Sequence, residues 1–362
     1  MKKYKVCVYA ICKNEESFVD RFMASAQEAD IVVVLDTGSS DNTVQKLRDK
    51  GAIVHQIDAT PFRFDHSRNK CLEFIPEDVD ICVSADLDEV IQTGWREHLE
   101  NAWQEDTTRG SYLFNWSFNE DSTPAVQYIF DRIHSRQGYR WIFPAHEVLD
   151  CLLPNGEKCI FMEGVVYNHY PDHAKDRSLY LPLLEIAVEE NPDNPRNLHY
   201  LGREYMYVKD WDNCIKTLVK YLELPDSHWD EERAASMRFI ARAYKGKNNY
   251  NEAKKWLYRS IAECPYIREG YVETAFLAYD EKDWYSVFYF ANQSLRIKEK
   301  SLGYMNENFA WDFTPYDLAA LGSYYIGMQD HAVKFSKKAI QLSPDNERLK
   351  NNHKFYTQIS QL

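Results

Sequence analysis

The segment Ser84-Ala85-Asp86-Leu87-Asp88-Glu89 places two carboxylates one residue apart, directly after the expected buried strand 79–83. Carboxylates so spaced can both approach a hard divalent cation, and Mg2+ or Mn2+ takes oxygen ligands that substrate phosphates often complete. The same residues can equally be solvated loop positions, or a cap for a helix beginning near Ile91. A second run, 31–35, passes into Asp36-Thr37-Gly38-Ser39-Ser40-Asp41-Asn42-Thr43, where the glycine permits a tight turn and Asp41 can cap the next helix. A third ends at Lys13-Asn14-Glu15-Glu16. In an open α/β sheet ligands bind beyond the carboxyl ends of the strands, so these three strand ends are expected to present polar groups on one rim.

The elements behind those motifs follow from the apolar pattern. Strands are predicted over 4–12, 31–35, 52–57 and 79–84, and helices over 18–29, 42–50 and 66–74. Strands alternating with helices argue for a parallel sheet, and the wholly apolar run 31–35 for a strand buried on both faces. Longer strands over 111–118 and 127–134 add an antiparallel portion. From about residue 176 helical patterns take over. Leu198, Leu201, Gly202 and Tyr205 open a pattern that continues at Cys214, Leu218 and Tyr221. Ala241, Tyr244, Ala253, Leu257 and Ser260 repeat it, as do Ala275, Ala278, Val287, Ala291 and Ser294. Gly322 and Tyr325 begin a last copy in which Ala332, Ser336 and Ala339 come two residues early. This resembles the tetratricopeptide repeat, in which small residues let antiparallel helices pack closely. The division read from composition is 1–175 for the α/β part and 176–362 for the repeats. An unrelated helical bundle is the bland alternative.

Taken in order, KNEE, LDTGSSDNT, FDHSRNK and SADLDEV resemble the family 2 glycosyltransferases of GT-A fold over residues 4–100, and more loosely to 170. That resemblance implies an α/β GT-A domain followed by an all-α tetratricopeptide-like solenoid. It also implies inverting transfer of a sugar from a nucleotide-diphosphate sugar, a UDP-sugar in the first instance. It would place Asp36 against the base or ribose, with Asn14 and Glu16 in the same donor site. Asp86 and Asp88 would hold Mn2+ or Mg2+ against the diphosphate, and Arg68 would support the phosphates. Metal and arginine would neutralise charge on the leaving diphosphate. Phe64-Asp65-His66-Ser67-Arg68-Asn69, Pro144-Ala145-His146-Glu147 and Val166-Tyr167-Asn168-His169, with the repeats, are similar to the bacteriocin S-glycosyltransferases, which modify a cysteine of a peptide. A peptide or protein acceptor follows from that resemblance only.

Inverting transfer needs a base, usually a carboxylate. Glu147, in the apolar stretch 141–148, is the first choice, against a structural salt-bridged role; Glu120 and Asp121 are the second. In many GT-A enzymes a late histidine joins the metal. His169 is the candidate, and its alternative is packing at the domain boundary with Tyr170 and Pro171. Arg132 and Arg140 can contact diphosphate or make ordinary surface pairs.

Composition limits the alternatives. A net charge of −13 disfavours nucleic-acid partners. No run is long enough to span a membrane, and the N-terminal stretch lacks a signal-peptide pattern, so a cytoplasmic location is expected. The eight cysteines form no CxxC pair and read as buried reduced thiols. Neither GxxxxGK[ST] nor an early GxGxxG occurs, which disfavours P-loop and dinucleotide enzymes. Two rival functions stand: a nucleotidyltransferase, and a non-catalytic repeat scaffold with a vestigial nucleotide-binding domain. Trp211, Tyr250 and Trp284 occupy equivalent repeat positions. Trp229 and Trp311 fall outside the pattern and are expected to be exposed contacts for a homodimer or a polypeptide.

Overall fold

The computed structural model describes residues 3–119, 121–172 and 177–359, in two compact units, 1–189 and 190–362. The position 175/176 at which composition changes lies outside the described residues.

In the first unit, β1 (Val6–Cys12) is buried at every position. It lies between β2 (Ile31–Asp36) and β4 (Ile81–Ser84), parallel to both. Alternate residues feed two cores: Val6, Val8, Ala10 and Cys12 join one, and Cys7, Tyr9 and Ile11 the other. The first core takes in α1 (Val19–Ala26) through Val19 and Phe22 and α2 (Thr43–Asp49) through Leu47. The second takes in α3 (Phe64–Glu73) through Cys71 and Leu72. Such two-sided burial is why these strands read as continuous apolar runs. The sheet has eight strands: β3 (Ile53–Gln56), β2, β1, β4, β7 (Pro124–Ser135), β6 (Arg109–Phe118), β10 (Cys159–His169) and β5 (Glu89–Ile91). β7 runs antiparallel to β4 and β6, as the longer strands predict. A separate ribbon pairs β8 (Tyr139–Ile142) with β9 (Val148–Cys151). Helix α4 (Trp95–Ala102) covers the first core, and α5 (Tyr180–Glu190) ends the unit.

One local expectation is corrected. No helix begins near Ile91: residues 89–91 form β5, because they pair with β10, and α4 starts only at Trp95, after Gly94 at φ 89°. The carboxylate motif therefore leads into a strand rather than a helix.

Behind the rim, His134 sits in a closed hydrogen-bond chain. Its Nδ1–H donates to the Ser135 carbonyl (2.8 Å), Nε2 accepts from Tyr9 OH (2.9 Å), and Tyr9 OH accepts from Trp141 Nε1 (2.9 Å). Burial pushes the imidazole down to about 4, against an ordinary value of 6.5. Between those values the unfolded chain binds the proton and the folded chain does not, so stability rises with pH across that window. His134→Gln is expected to remove this slope, which amounts to about 3 kcal/mol between pH 4 and pH 6.5. Urea titrations of both chains at several pH values check it, and an identical pH dependence in the two would refute it.

The second unit is built from helix pairs: α6 (Pro195–Tyr207) with α7 (Trp211–Glu223), and α8 (Asp230–Gly246) with α9 (Tyr250–Glu263). α10 (Glu269–Asp280) with α11 (Trp284–Ser294), and α12 (Thr314–Tyr325) with α13 (Gln329–Leu342), complete the series; α14 (Glu347–Ile359) follows. The small positions read from the sequence are buried between helices, as at Cys214, Ala253, Ala275, Ala291, Ala332 and Ala339. Three second helices share one start: Asp210, Asn249 and Asp283 each accept from the backbone N–H three residues on. The early spacing of the fourth copy has a simple cause. Ala320, fully buried with Ala332 in one core, holds the place assigned to Gly322, and Gly322 faces α11 instead. Trp229 and Trp311 are not exposed contacts: Trp229 packs in the core around Met206 and Phe239, and Trp311 in the core around Val272 and Ala310.

Candidate functional site

β1, β2 and β4 run parallel, so their carboxyl ends open on one edge of the sheet. Strand register then assembles the charged residues. β5 pairs Glu89 with His169 of β10, and the Tyr170 N–H donates to the Asp88 carbonyl (2.9 Å), which brings the Asp88 side chain to the imidazole. β10 also pairs Asn168 with Asn115 of β6, so Trp116 lies beside His169, the rings 4.3 Å apart. β4 pairs Val83 with Ile133 of β7, which sets Arg132 next to the Asp86 turn.

Asp88 Oδ2 and His169 Nε2 stand 3.5 Å apart. The His169 Nδ1–H donates to the Trp116 carbonyl (3.2 Å), which leaves the Nε2 lone pair facing the carboxylate in the neutral tautomer. Burial opposes a charge on His169, yet Asp88 holds its pKa above the ordinary value. One oxygen and one imidazole nitrogen, oriented through the second ring nitrogen, suit a divalent cation whose other ligands come from phosphate or water.

Asp86 is differently engaged. Its Oδ1 accepts from Arg68 Nη2 (2.7 Å) and its Oδ2 from Arg132 Nη1 (3.1 Å). Burial would raise its pKa, but the two guanidiniums hold it well below the usual carboxylate range. Arg68 also donates from Nε to Glu147 Oε1 (2.5 Å) and lies over the Trp141 ring at 4.9 Å. Asn69 fixes that ring's strand by exchanging two 2.8 Å hydrogen bonds with the Trp141 backbone. Arg132 further donates to Glu89, whose second oxygen accepts the Asp86 backbone N–H at 2.9 Å. Burial, with Asp86 and Asp88 nearby, pushes Glu89 up to about 7 despite Arg132.

The structure thus gathers Arg68, Asp86, Asp88, Glu147 and His169, but not Asp86, Asp88 and His169 as one ligand set. Among the described residues no three His, Cys, Asp or Glu side chains converge as metal ligands. Asp36 is fully buried and braces its own turn, accepting from the Gly38 (3.2 Å) and Ser39 (3.1 Å) N–H groups. Asn14 and Glu16, just after β1, hold the same loop: Asn14 Oδ1 accepts from the Ser40 N–H (2.7 Å), and Glu16 accepts from the Asn42 N–H (3.2 Å) and pairs with Lys46 of α2 (2.9 Å). Asp121 lies exposed in the β6–β7 turn, bonded to Thr123, and Arg140 pairs with Asp150 on the ribbon. Glu120 lies outside the described residues. Sequence reasoning passed over Glu89 and Trp116, and left Arg132 as a general phosphate contact. The available signal was the adjacent pair Asp131-Arg132 within the strand segment 129–133.

No family model matches the chain, and no curated protein does. Solved structures similar to it include the MamA protein (18% identity, 49% of this chain and 99% of that one, TM-score 0.38). They also include Pseudomonas aeruginosa pilF (13%, 49% and 72%, TM-score 0.38). A third is YrrB, described as a TPR protein with an unusual peptide-binding site (14%, 49% and 84%, TM-score 0.40). These are distant likenesses to repeat proteins, each covering about half of this chain. The resemblance to family 2 glycosyltransferases and to the bacteriocin S-glycosyltransferases is corrected here: no family model supports it, and none of these structures is a glycosyltransferase. No described helix is long and apolar enough to cross a membrane.

Proposed function

We propose that the chain is a helical-repeat scaffold for a polypeptide partner, joined to an α/β unit that binds a nucleotide diphosphate with a divalent cation. The observation that carries the second half is the Asp88–His169 pair, 3.5 Å apart at the end of the sheet, with Arg68 and Arg132 beside it. Asp88 and His169 would hold Mn2+ in preference to Mg2+, because imidazole is the softer ligand. The cation would draw the diphosphate oxygens to this rim, and the two guanidiniums would meet further phosphate charge. Binding without turnover fits Asp86, since both its oxygens are already taken by arginine.

A second reading adds transfer of a sugar from the bound nucleotide. What favours it is Glu147, a carboxylate on the same centre, 2.5 Å from Arg68. There Glu147 would take the acceptor's proton as the arginines steady the leaving diphosphate.

Calorimetry with UDP tests the shared claim. UDP is expected to bind in the presence of Mn2+ and to lose affinity by roughly 10–100-fold in Asp88→Asn. Equal affinity in the two chains would remove the metal pair. Release of UDP from a panel of UDP-sugars by the wild-type chain, and its loss in Glu147→Gln, would select the second reading over the first.

A further inference from the structure

The connection between α11 and α12, residues 295–313, is far longer than those closing the two earlier helix pairs, 224–229 and 264–268. It forms no strand and only one short helical turn, Asn308–Ala310. Instead it runs along α8 and onto the start of α10, two of the helices (α6, α8, α10, α12) that neighbour one another on one face of the array. Side chains fasten it. Ser301 Oγ donates to Glu231 (2.6 Å) and Tyr304 OH to Glu232 (2.6 Å). Met305 enters the core around Met206 and Phe239. Glu307 accepts from Arg242 (2.6 Å) and from Arg238, and Trp311 Nε1 donates to Glu269 (3.0 Å).

Two features describe the chemistry of this face. Glu269 Oε2 and Arg238 Nε are buried and lack a hydrogen-bond partner among the described residues, although both side chains point into the seam. Arg238 and Arg242 are balanced there by Glu273 and Glu307 together. Without Glu307, Arg238 and Arg242 would share Glu273 as their directly paired carboxylate, with Glu269 acting on Arg238 from farther off. The face then needs an incoming acid, since an uncompensated buried charge is costly.

We propose that the face of α8 and α10 is a polypeptide-binding groove which the chain closes with its own residues 299–311. The partner that takes their place is an extended polypeptide with an aromatic residue and, three positions later, a carboxylate, as in Tyr304 and Glu307. This rests on the scaffold half of the proposed function and names its surface. A segment held by side chains, with no ladder of backbone bonds, exchanges for a competitor that repeats those side chains. The apparent affinity for that competitor falls by the fraction of time the groove is open.

The test uses the full chain carrying Tyr304→Ala, Glu307→Ala and Trp311→Ala together, and a fluorescent peptide copying residues 299–312. By anisotropy the peptide is expected to bind this variant about tenfold more tightly than the wild type. The same peptide carrying Glu307→Lys should not bind. Equal affinity for both proteins, or no binding to a variant whose circular dichroism shows intact helices, would overturn the proposal. UDP binding on the same samples reports the α/β unit separately, so failure of the groove is distinguishable from failure of the nucleotide site. If the triple variant does not fold, hydrogen exchange on the wild type decides. Backbone amides of 299–311 should exchange about a hundredfold faster than those of α8 and α10. Equal protection would show a fixed structural segment and overturn the groove.

Discussion

Arg132→Met is expected to destabilise the chain by about 3–5 kcal/mol, because it removes one partner from a buried ionic network and leaves the others. Arg132 is buried, bonds Asp86 and Glu89 at once, and lies 4.5 Å from the centre of the Phe130 ring. Asp86 would retain Arg68, but Glu89, only 3% exposed, would keep no cationic partner among the contacts described above. Its pKa, already raised to about 7 by burial, would rise further. A carboxyl whose folded-state pKa lies above its unfolded value of 4.5 takes up a proton on folding. Stability is then lost as pH rises through that interval, so the deficit of the variant should be larger at pH 8 than at pH 5. Adding Glu89→Gln should recover part of the loss, since the stranded charge is gone. Urea unfolding at the two pH values reads all three expectations. A loss below about 1 kcal/mol, the scale of an exposed pair, would mean that the network is solvated.

That network also marks where the sequence stopped being informative. Runs such as 31–35 and 81–83 are legible because a strand buried on both faces must be apolar throughout. Gly202, Ala241 and Ala275 are legible because close helix packing demands small residues at a fixed period. Arg132 and Glu89, by contrast, meet only because β4 pairs with β7 and β5 with β10, and those registers are set by tertiary contacts. The segment 299–311 has no period at all, so nothing local announced that it would lie along α8. The family resemblance failed for a related reason. Its motifs are short, and each has a structural use of its own: Asp36 braces the 36–39 turn, Asp41 bonds Thr43 (3.0 Å), and Arg68 ties Asp86 to Glu147. A strand end followed by a polar turn calls for such residues whatever the fold later does.

The contact between the third and fourth helix pairs gives the sharpest test of the packing argument, at Gly322. A Cβ added there would lie 2.6 Å from the backbone nitrogen of Phe288 and 2.9 Å from its Cα. Those atoms belong to α11 and cannot rotate away, so α11 and α12 would have to separate. The core they share, with Val287, Ala291, Leu318 and Ala319, would loosen with them. Gly322→Val is therefore expected to cost about 3 kcal/mol, the upper end for overpacking a filled interface. Gly322→Ala should cost less, because the better helix propensity of alanine returns about 1 kcal/mol. Gly270 is the control. A Cβ there would meet the Ile261 side chain at 3.2 Å and the Ser260 hydroxyl at 3.3 Å, side-chain atoms at longer range than the backbone atoms Gly322 faces. Gly270→Ala should then be near neutral or slightly stabilising. Thermal and urea unfolding of the three variants would show the order Gly322→Val, Gly322→Ala, Gly270→Ala in decreasing loss. Equal stability of Gly322→Val and the wild type would mean that α11 and α12 do not pack through this glycine, and the close packing of the fourth pair against the third would have to be abandoned.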